Sequence, residues 1–425
     1  MELSILIPAL NEEKNIARLI LRVREQVSRL VPEHEIIVVD GHSQDHTCEL
    51  AQRAGAIVVE QDAPGYGGAL REGFDLASGN YILTLDADFS HSPDFIATLW
   101  AVRERAEVVI ASRYVEGGSA EMPFYRRVFS VLLNFFFGRA LALPVRDVSS
   151  GFRLYNARAV RSLELKSEDF DILEEILIEC LARGMTVKEV PFHFVPRGEG
   201  RSHVKLLRLG LACCKTFTRM WKLRNSIDSA DYDARAFDSL IPLQRYWQRK
   251  RHRIITGWAE GYQHCLDVGC GSSCILRDLG GLAIGLDIQH NKLRYARRYG
   301  RPLIHASVFA LPFVDQSFDC VICSEVIEHI PRDECLFSEL ARVLKGNGRL
   351  ILGTPDYGRW QWRLIEWFYA RLAPGGYADE HVTHYRRNEL IAILRGLRFQ
   401  LEQTAYVLGS ELILAFTKRD QGKEL

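Results

Sequence analysis

The sequence predicts an α/β protein of two domains, and three observations carry that prediction. The chain has 425 residues, too many for one ordinary core and suited to two domains of about 200 residues each. Apolar strand-like runs alternate with amphipathic helical patterns over residues 3–115, and the alternation restarts at residue 264. That order builds mostly parallel sheets covered by helices. Between the two stretches, NSIDSADYDARAFDSL (residues 225–240) is polar and has no apolar period of its own, which marks a linker. The expected domains are residues 1–224 and 225–425. No fixed-period repeat is present, so a solenoid is excluded.

Composition narrows the function classes. Hydrophobic residues make up 47% and charged residues 25% of the chain, a globular balance. The 54 basic residues equal the 54 acidic ones, so bulk electrostatics gives no drive toward nucleic acid. The basic run RYWQRKRHR (245–253) reads as the solvated face of a connecting helix. Ten cysteines in a chain of this length do not make a disulfide scaffold and fit a reducing cytoplasm. Cys320 and Cys323 form a C-x-x-C within apolar sequence; no second pair follows at zinc spacing, so buried thiols are the first reading and zinc the second. A strand, LSILIPAL, starts at Leu3, and no signal-peptide pattern precedes it. The most apolar stretch, VFSVLLNFFFG, has eleven uncharged residues between Arg127 and Arg139, against about 20 for a spanning helix. It either lies on a membrane surface or is buried in a core.

The elements of the N-terminal half follow in order. SILIPAL is a strand and EEKNIARLILRVREQV an amphipathic helix. EIIVVD is a strand, DHTCELAQRAG a helix, AIVVEQ a strand, GYGGALREGFDLAS a helix, and YILTLDAD and VVIASRY are strands. Sites in such folds gather at the carboxyl ends of the strands, where Pro8, Asp40, Asp86 and Arg113 fall. Asp86 and Asp88 are separated by one residue, a spacing that lets both carboxylates bind a hard divalent cation. Such a cation offsets the charge of a diphosphate leaving group; on an ordinary surface the same pair is a solvated turn. Three segments accompany it. IPALNEE carries Pro8, Leu10 and Glu12; VVDGHSQDHT carries Asp40; PGYGGALREG places Arg71 on a helix behind a glycine turn. Glycines let backbone approach a ligand closely, and helix N-termini favour anions. Taken singly, each segment is equally turn chemistry or capping.

Together these residues resemble the inverting GT-A glycosyltransferases of family 2, and most closely the dolichol-phosphate mannosyltransferases, or polyprenyl-phosphate hexosyltransferases. The resemblance covers residues 1 to about 220, through DADFSHSP at Asp86, SRYVEGG at Ser112, RRVFS at Arg126, DVSSGFRLY at Asp147 and VPRGEGRS at Val195. It implies a GT-A fold in which Pro8, Leu10, Glu12 and Asp40 hold base and ribose, with Arg71 also on the donor side. It implies that Asp86, Asp88 and Ser90 hold Mg²⁺ or Mn²⁺, and that Arg113, Arg126, Ser130 and Arg197 receive an acceptor phosphate. Asp88 and Arg113 are then the expected catalytic residues. The implied reaction moves a hexose, mannose from GDP-mannose or a hexose from a UDP-sugar, to a polyprenyl phosphate. The implied place is the cytoplasm or the cytoplasmic face of the membrane. An ionised phosphate oxygen attacks without a strong base, which fits the lack of an obvious one. A polysaccharide hydroxyl is the alternative acceptor. The chain departs from many relatives at Gly41, Ser90 and His203.

The C-terminal half opens with HCLDVGCGSS, a strand running into a glycine-rich turn, and the strand GLAIGLDI ends at Asp287. An acid placed there can hydrogen-bond a ribose diol. The turn alone suits nicotinamide or methionine cofactors. HASVFALPFVDQSFDCVICSEVIEHIP and RVLKGNGRLILGTP extend it into a resemblance to class I S-adenosylmethionine-dependent methyltransferases over residues 235–425, with a Rossmann-like fold. The resemblance implies that Asp267, Gly269 and Gly271 line the methionine and ribose side. It implies further that Asp287 and Ile288 hold ribose and adenine, and that Ser324 sits near the methyl donor. Glu328 and His329 either orient or deprotonate an acceptor or form a buried pair at a helix start; His381 and His384 are further base candidates. Relatives commonly have glycine at Ser273 and aspartate at Ser307. The two resemblances together imply a bifunctional enzyme, glycosyltransferase and methyltransferase. The alternative makes the second domain a regulatory S-adenosylmethionine-binding module. The sequence leaves the oligomeric state open.

Overall fold

A computed structural model describes residues 1–195, 206–372 and 381–419, with backbone alone at 125, 126, 129, 206–212 and 368–372. Arg197 therefore lies outside the described residues, as does the side chain of Arg126. The chain divides into two compact units, Met1–Leu181 with Met185–Trp221, and Ala182–Gly184 with Lys222–Leu425.

The first unit is built on strands β1 (Leu3–Ala9), β2 (His34–Asp40), β3 (Ile57–Glu60), β4 (Tyr81–Thr84), β5 (Val108–Ser112), β7 (Arg153–Asn156) and β8 (Val187–Pro191), ordered β3-β2-β1-β4-β7-β5-β8. The short β6 (Ser119–Ala120) and β9 (His193–Phe194) pair separately. β1, β2, β3 and β4 run parallel, and Ala9 lies in register with Asp40. One strand departs from the expected parallel order: β7 runs antiparallel between β4 and β5. Its sequence, RLYN, opens with an arginine and does not read as a buried strand. Arg153 is buried because backbone carbonyls of Ser150, Leu173 and Val148 accept from its guanidinium at 2.6–2.8 Å, which satisfies donors that would otherwise forbid burial. The antiparallel direction puts the segment before β7, residues 147–152, at the carboxyl edge of β4 and β5.

The helix Ile16–Leu30 shows how the unit closes. Ile16, Leu19, Ile20, Val23 and Val27 are buried at helical spacing, each contributing about 1.5–3 kcal/mol against exposure. The helix stops at Val31, extended at φ −141°, because the following Pro32 disfavours helical backbone before it. The helix Phe124–Ala140 contains the VFSVLLNFFFG stretch and is not wholly buried in a core. Phe137 and Asn134 face inward, whereas Leu132, Phe135 and Phe136 are 60%, 68% and 51% exposed. It is an amphipathic surface helix with an apolar outer face. Among the described residues no helix is long and apolar enough to cross a membrane.

The second unit has strands β10 (His264–Val268), β11 (Leu282–Asp287), β12 (Leu303–His305), β13 (Phe318–Ser324), β14 (Leu344–Pro355), β15 (Phe399–Val407) and β16 (Glu411–Lys418). Their order is β12-β11-β10-β13-β14-β16-β15, with β16 antiparallel to both neighbours and the rest parallel. The order reverses between β10 and β13, the switch point at which α/β sheets open a crevice. Cys320 and Cys323 lie on β13 in different core clusters; residues three apart on a strand face opposite sides, so they do not share a metal. Both are buried free thiols.

Two expectations are corrected here. The polar stretch 225–240 is not a loose linker: it contains the helix Tyr232–Phe237, with Ala230, Tyr232 and Ala236 buried. Its order comes from a fully buried Arg224 that donates to both oxygens of Asp231 at 2.7 and 2.8 Å, a contact invisible to hydrophobic periodicity. The basic run lies on the helix Pro242–Trp258, yet Arg251 within it is buried and pairs with Glu325 at 3.2 Å and Glu411 at 3.5 Å.

Candidate active sites

At the carboxyl edge of the first sheet, the loops after β1 and β2 are stitched together. Asn11 N–H donates to Ser43 Oγ, Gln44 N–H to Asn11 Oδ1, and Glu12 N–H to Thr47 Oγ1, each at 2.8 Å. Asp40 is buried and spends both carboxylate oxygens on Ser43, accepting from its N–H at 2.8 Å and its hydroxyl at 2.6 Å. The Glu12 carboxylate accepts from Asn15 Nδ2 at 2.8 Å. Pro8, Leu10 and Glu12 stay partly exposed around this floor.

Asp86 and Asp88 lie just past the end of β4, in a turn where Phe89 is left-handed at φ 61°. Asp88 accepts from Ser90 N–H at 3.0 Å and is buried with Ser90. His91, absent from the expected set, positions the pair. It is buried, stacks on Phe152 at 5.0 Å, and its Nδ1 accepts from Asp86 N–H at 3.0 Å. Burial lowers the imidazole's pKa despite the pull of Asp86 and Asp88, so the ring is neutral and available as an acceptor. Tyr66 donates to Asp86 Oδ1 at 3.3 Å. Gly151 lies so near that a Cβ there would sit 2.8 Å from Tyr66 Oη and 3.4 Å from Asp86 Oδ1. Asp86 and Asp88 supply carboxylates, and Ser90 a hydroxyl, of the oxygen type that a hard divalent cation takes.

The DVSSGFRLY segment joins this edge to the surface helix. Asp147, fully buried, accepts from Arg113 Nε at 2.8 Å, Nη2 at 2.6 Å and backbone N–H at 2.9 Å. Burial works against the Arg113 charge, but Asp147 outweighs it and raises the guanidinium pKa. Arg113 also reaches Ser149 Oγ at 2.9 Å. Asn134, a second residue missed by the sequence reading, accepts from Val148 N–H at 2.7 Å and donates to Ser130 O at 2.8 Å. Tyr114 Oη donates to Ser130 Oγ at 2.8 Å. One network thus links Arg113, residues 147–149 and the helix Phe124–Ala140.

The glycine turn before Arg71 serves packing. Cβ atoms at Gly65 and Gly67 would meet the carbonyls of Glu168 and Ser167 at 2.3 and 2.4 Å, and Gly67 N–H already donates to Glu168 O at 2.8 Å. These glycines admit the chain's own backbone, which is the turn-chemistry alternative for this segment. Arg71 is half-buried on the helix Gly65–Leu76, and its Nε is buried without a hydrogen-bond partner.

In the second unit a cavity at the β10/β13 switch is lined by Asp267, Gly269, Gly271, Ser324, Glu325 and His329, together with Asp233, Arg251 and Lys292. Gly269 and Gly271 have φ of 68° and 51°, backbone that glycine adopts without strain. Burial pushes the Asp267 carboxyl up to about 8, helped by Asp287, Cys265 and Asp233. Asp267 Oδ2 and Ser324 Oγ are buried with no hydrogen-bond partner. Unmet polar atoms in a cavity call for a polar ligand, and the ammonium and carboxylate of an amino-acid group meet that requirement. Asp287 accepts from Gly271 N–H at 2.8 Å and Gln289 N–H at 2.7 Å, so it braces the turn; Ile288 beside it is 63% exposed. Asp233 accepts from Ser272 Oγ at 3.2 Å. It comes from the segment taken for a linker, so nothing in the strand pattern pointed to it.

A second, mostly apolar cavity of about 140 Å³ adjoins, with Arg251 and Glu325 in both walls. Ile241, Leu243, Trp247, Trp362 and Ile365 line it, with His381 and Glu366. Glu328 is buried and accepts from Thr354 Oγ1 at 3.1 Å; burial, then Glu325, raises its carboxyl pKa. His384 stacks on Tyr357 at 4.0 Å.

The family model described as Glycosyl transferase family 2 matches residues 4–163, and that described as Methyltransferase domain matches residues 266–352. A dolichol-phosphate mannosyltransferase of Pyrococcus furiosus is 36% identical over 219 residues, 48% of this chain and 60% of its own. Glycosyltransferase AglJ of Haloferax volcanii is 33% identical over 198 residues, 46% of this chain and 64% of its own. This chain thus spans 60–64% of the length of those two relatives. Polyprenol monophosphomannose synthase of Mycolicibacterium smegmatis is 30% identical over 243 residues, 53% of this chain and 89% of its own. The chain belongs to glycosyl transferase family 2 through its N-terminal unit and carries a methyltransferase domain behind it.

Proposed function

We propose that the N-terminal unit transfers a hexose from a nucleotide diphospho-sugar to a polyprenyl phosphate at a membrane surface, and that the C-terminal unit uses S-adenosylmethionine to methylate a glycan or lipid. GDP-mannose is the favoured donor, because two of the relatives are named for mannose transfer. In this reading Pro8, Leu10, Glu12, Asp40 and Arg71 surround the nucleotide. Asp86 and Asp88, with Ser90, hold Mg²⁺ or Mn²⁺, which supplies positive charge to the diphosphate. The acceptor phosphate oxygen attacks the anomeric carbon as the bond to the diphosphate breaks. Arg113, Arg126, Ser130 and Arg197 receive that phosphate; Asp147 fixes the Arg113 guanidinium in place.

The observation that carries the reading is the helix Phe124–Ala140. Its outer face exposes Leu132, Phe135 and Phe136, and Asn134 ties it to the segment over Asp86. An exposed apolar face with arginines at its edges suits the headgroup region of a bilayer. An open groove beside it is lined by Tyr114, Val131, Phe135 and Leu143, with Arg139 and Arg146, a match for an apolar chain ending in phosphate. In the C-terminal unit, Asp267, Gly269, Gly271, Asp287, Ile288 and Ser324 surround the cofactor, which supplies an electrophilic methyl group. Glu328 and His329 face the acceptor side.

The test incubates the full chain with Mn²⁺, polyprenyl phosphate and a panel of labelled GDP- and UDP-hexoses. A lipid-extractable labelled product is expected, strongest with GDP-mannose. Absence of such a product with every donor, beside a working synthase control, sinks the reading; label transferred to a polysaccharide, insensitive to Arg126→Ala, favours a hydroxyl acceptor.

A further inference from the structure

We propose that Glu328, His329 and His381 form a divalent-metal site in the C-terminal unit, one that takes a transition-series cation such as Zn²⁺. One ligand atom from each residue lies within 4.8 Å of the other two. Ligands bound at 2.0–2.2 Å to one ion stand about 3–3.5 Å apart, so closing the site needs side-chain shifts of about an ångström. Two imidazoles and one carboxylate are a nitrogen-rich donor set, which favours Zn²⁺, Co²⁺ or Fe²⁺ over Mg²⁺ or Ca²⁺. Three protein ligands leave a coordination position open, the pattern of catalytic rather than structural sites.

The surroundings have the form of a supporting shell. His381 Nδ1 meets Tyr357 Oη at 2.6 Å, and Tyr357 Oη donates to Glu366 Oε1 at 3.3 Å. The carboxylate orients the phenol, the phenol accepts from Nδ1–H, and Nε2 is then the nitrogen offered to a cation. Such outer partners fix a ligating histidine's tautomer and ring. Trp362 stacks on the His381 ring at 5.7 Å and 17°, and His329 packs edge-on against it at 4.9 Å. Thr354 holds one oxygen of Glu328, and the other, Oε1, is buried without a hydrogen-bond partner. Glu328 and His329 lie in the turn after β13, which ends at Ser324, whereas His381 arrives from a distant segment, so no sequence spacing announces the set.

Its place gives the site a use. His329 lines the cavity that holds Asp267 and Ser324, and His381 lines the apolar cavity next to it. A cation held by both faces the junction of the two, where an acceptor oxygen would meet the cofactor. The inference concerns cation binding alone, so its failure leaves the methyl-transfer reading standing.

The test titrates Co²⁺ into the chelator-treated full chain, in an Asp86→Asn/Asp88→Asn background that removes the N-terminal site. Visible d–d absorption saturating at one equivalent is expected, with Zn²⁺ displacing it. His329→Ala and His381→Ala should each lose the bands and weaken binding at least tenfold. Tyr357→Phe keeps the ring packing and removes only the hydrogen bond; about tenfold weaker binding is expected, and this variant decides the matter if a histidine variant fails to fold. Binding unaffected by all three substitutions, or no Co²⁺ or Zn²⁺ bound at millimolar concentration, overturns the proposal.

Discussion

Replacing Asp147 by alanine removes the buried carboxylate that holds Arg113. The guanidinium has 10% side-chain exposure and its partner none, and the pair is bidentate at 2.6 and 2.8 Å with a third bond to the Arg113 backbone. Breaking a buried pair from one side leaves an uncompensated charge and costs about 3–5 kcal/mol. For a unit of this size, 1 kcal/mol moves the melting point by about 2–4 °C, so the N-terminal transition should fall by about 10 °C. Calorimetry of the full chain measures it, with the N-terminal transition identified as the one raised by Mn²⁺ and a nucleoside diphosphate. Adding Arg113→Met should recover about 1–3 kcal/mol, because the stranded charge leaves with it. A loss below about 1 kcal/mol for Asp147→Ala, or no recovery in the double variant, would refute the argument that this pair is a mutually dependent buried unit.

Three other outcomes are expected. Burial pushes the Glu174 carboxyl up to about 8, and Arg153 only partly opposes it; the folded state therefore holds a proton that the unfolded chain releases near the ordinary carboxyl pKa, so stability falls as pH rises between about 4.5 and 8, at up to about 1.4 kcal/mol per unit. Glu174→Gln should flatten that slope in pH-dependent urea unfolding, and an unchanged slope would remove Glu174 as its source. Gly269→Ala forces a side chain into φ 68°, 2.3 Å from Val326 Cγ2, a strain of at least about 1–2 kcal/mol; calorimetry should show S-adenosylmethionine binding weakened at least tenfold, while Gly257→Ala, in open space, leaves it intact. Leu132→Ser with Phe135→Ser should reduce co-sedimentation with anionic vesicles severalfold and shift stability by no more than about 0.5 kcal/mol per exposed site; undiminished sedimentation would assign membrane contact to another surface.

The sequence by itself determined the two α/β units and the residues at their strand ends, because both signals are local. Short continuous apolar runs such as EIIVVD and the helical spacing of Ile16, Leu19, Ile20, Val23 and Val27 mark elements, and parallel strands put their following loops on one edge. Asp40, Asp86 and Arg113 were placed on that edge by this reasoning. Tertiary structure alone decided what those side chains face. It inserted β7 antiparallel, made possible by three carbonyls that accept from the buried Arg153. It turned the glycines before Arg71 toward the chain's own backbone. It turned a polar supposed linker into a packed segment that delivers Asp233 to the cavity at the β10/β13 switch. It also turned the outer face of an apolar helix to solvent and brought His381 to Glu328 and His329. Several of these depend on which polar groups meet once the chain is packed, whether near in sequence, as Arg153 and Ser150, or far apart, as Arg153 and Leu173. Hydrophobic periodicity records which residues avoid water; it carries no record of which distant donor meets which acceptor.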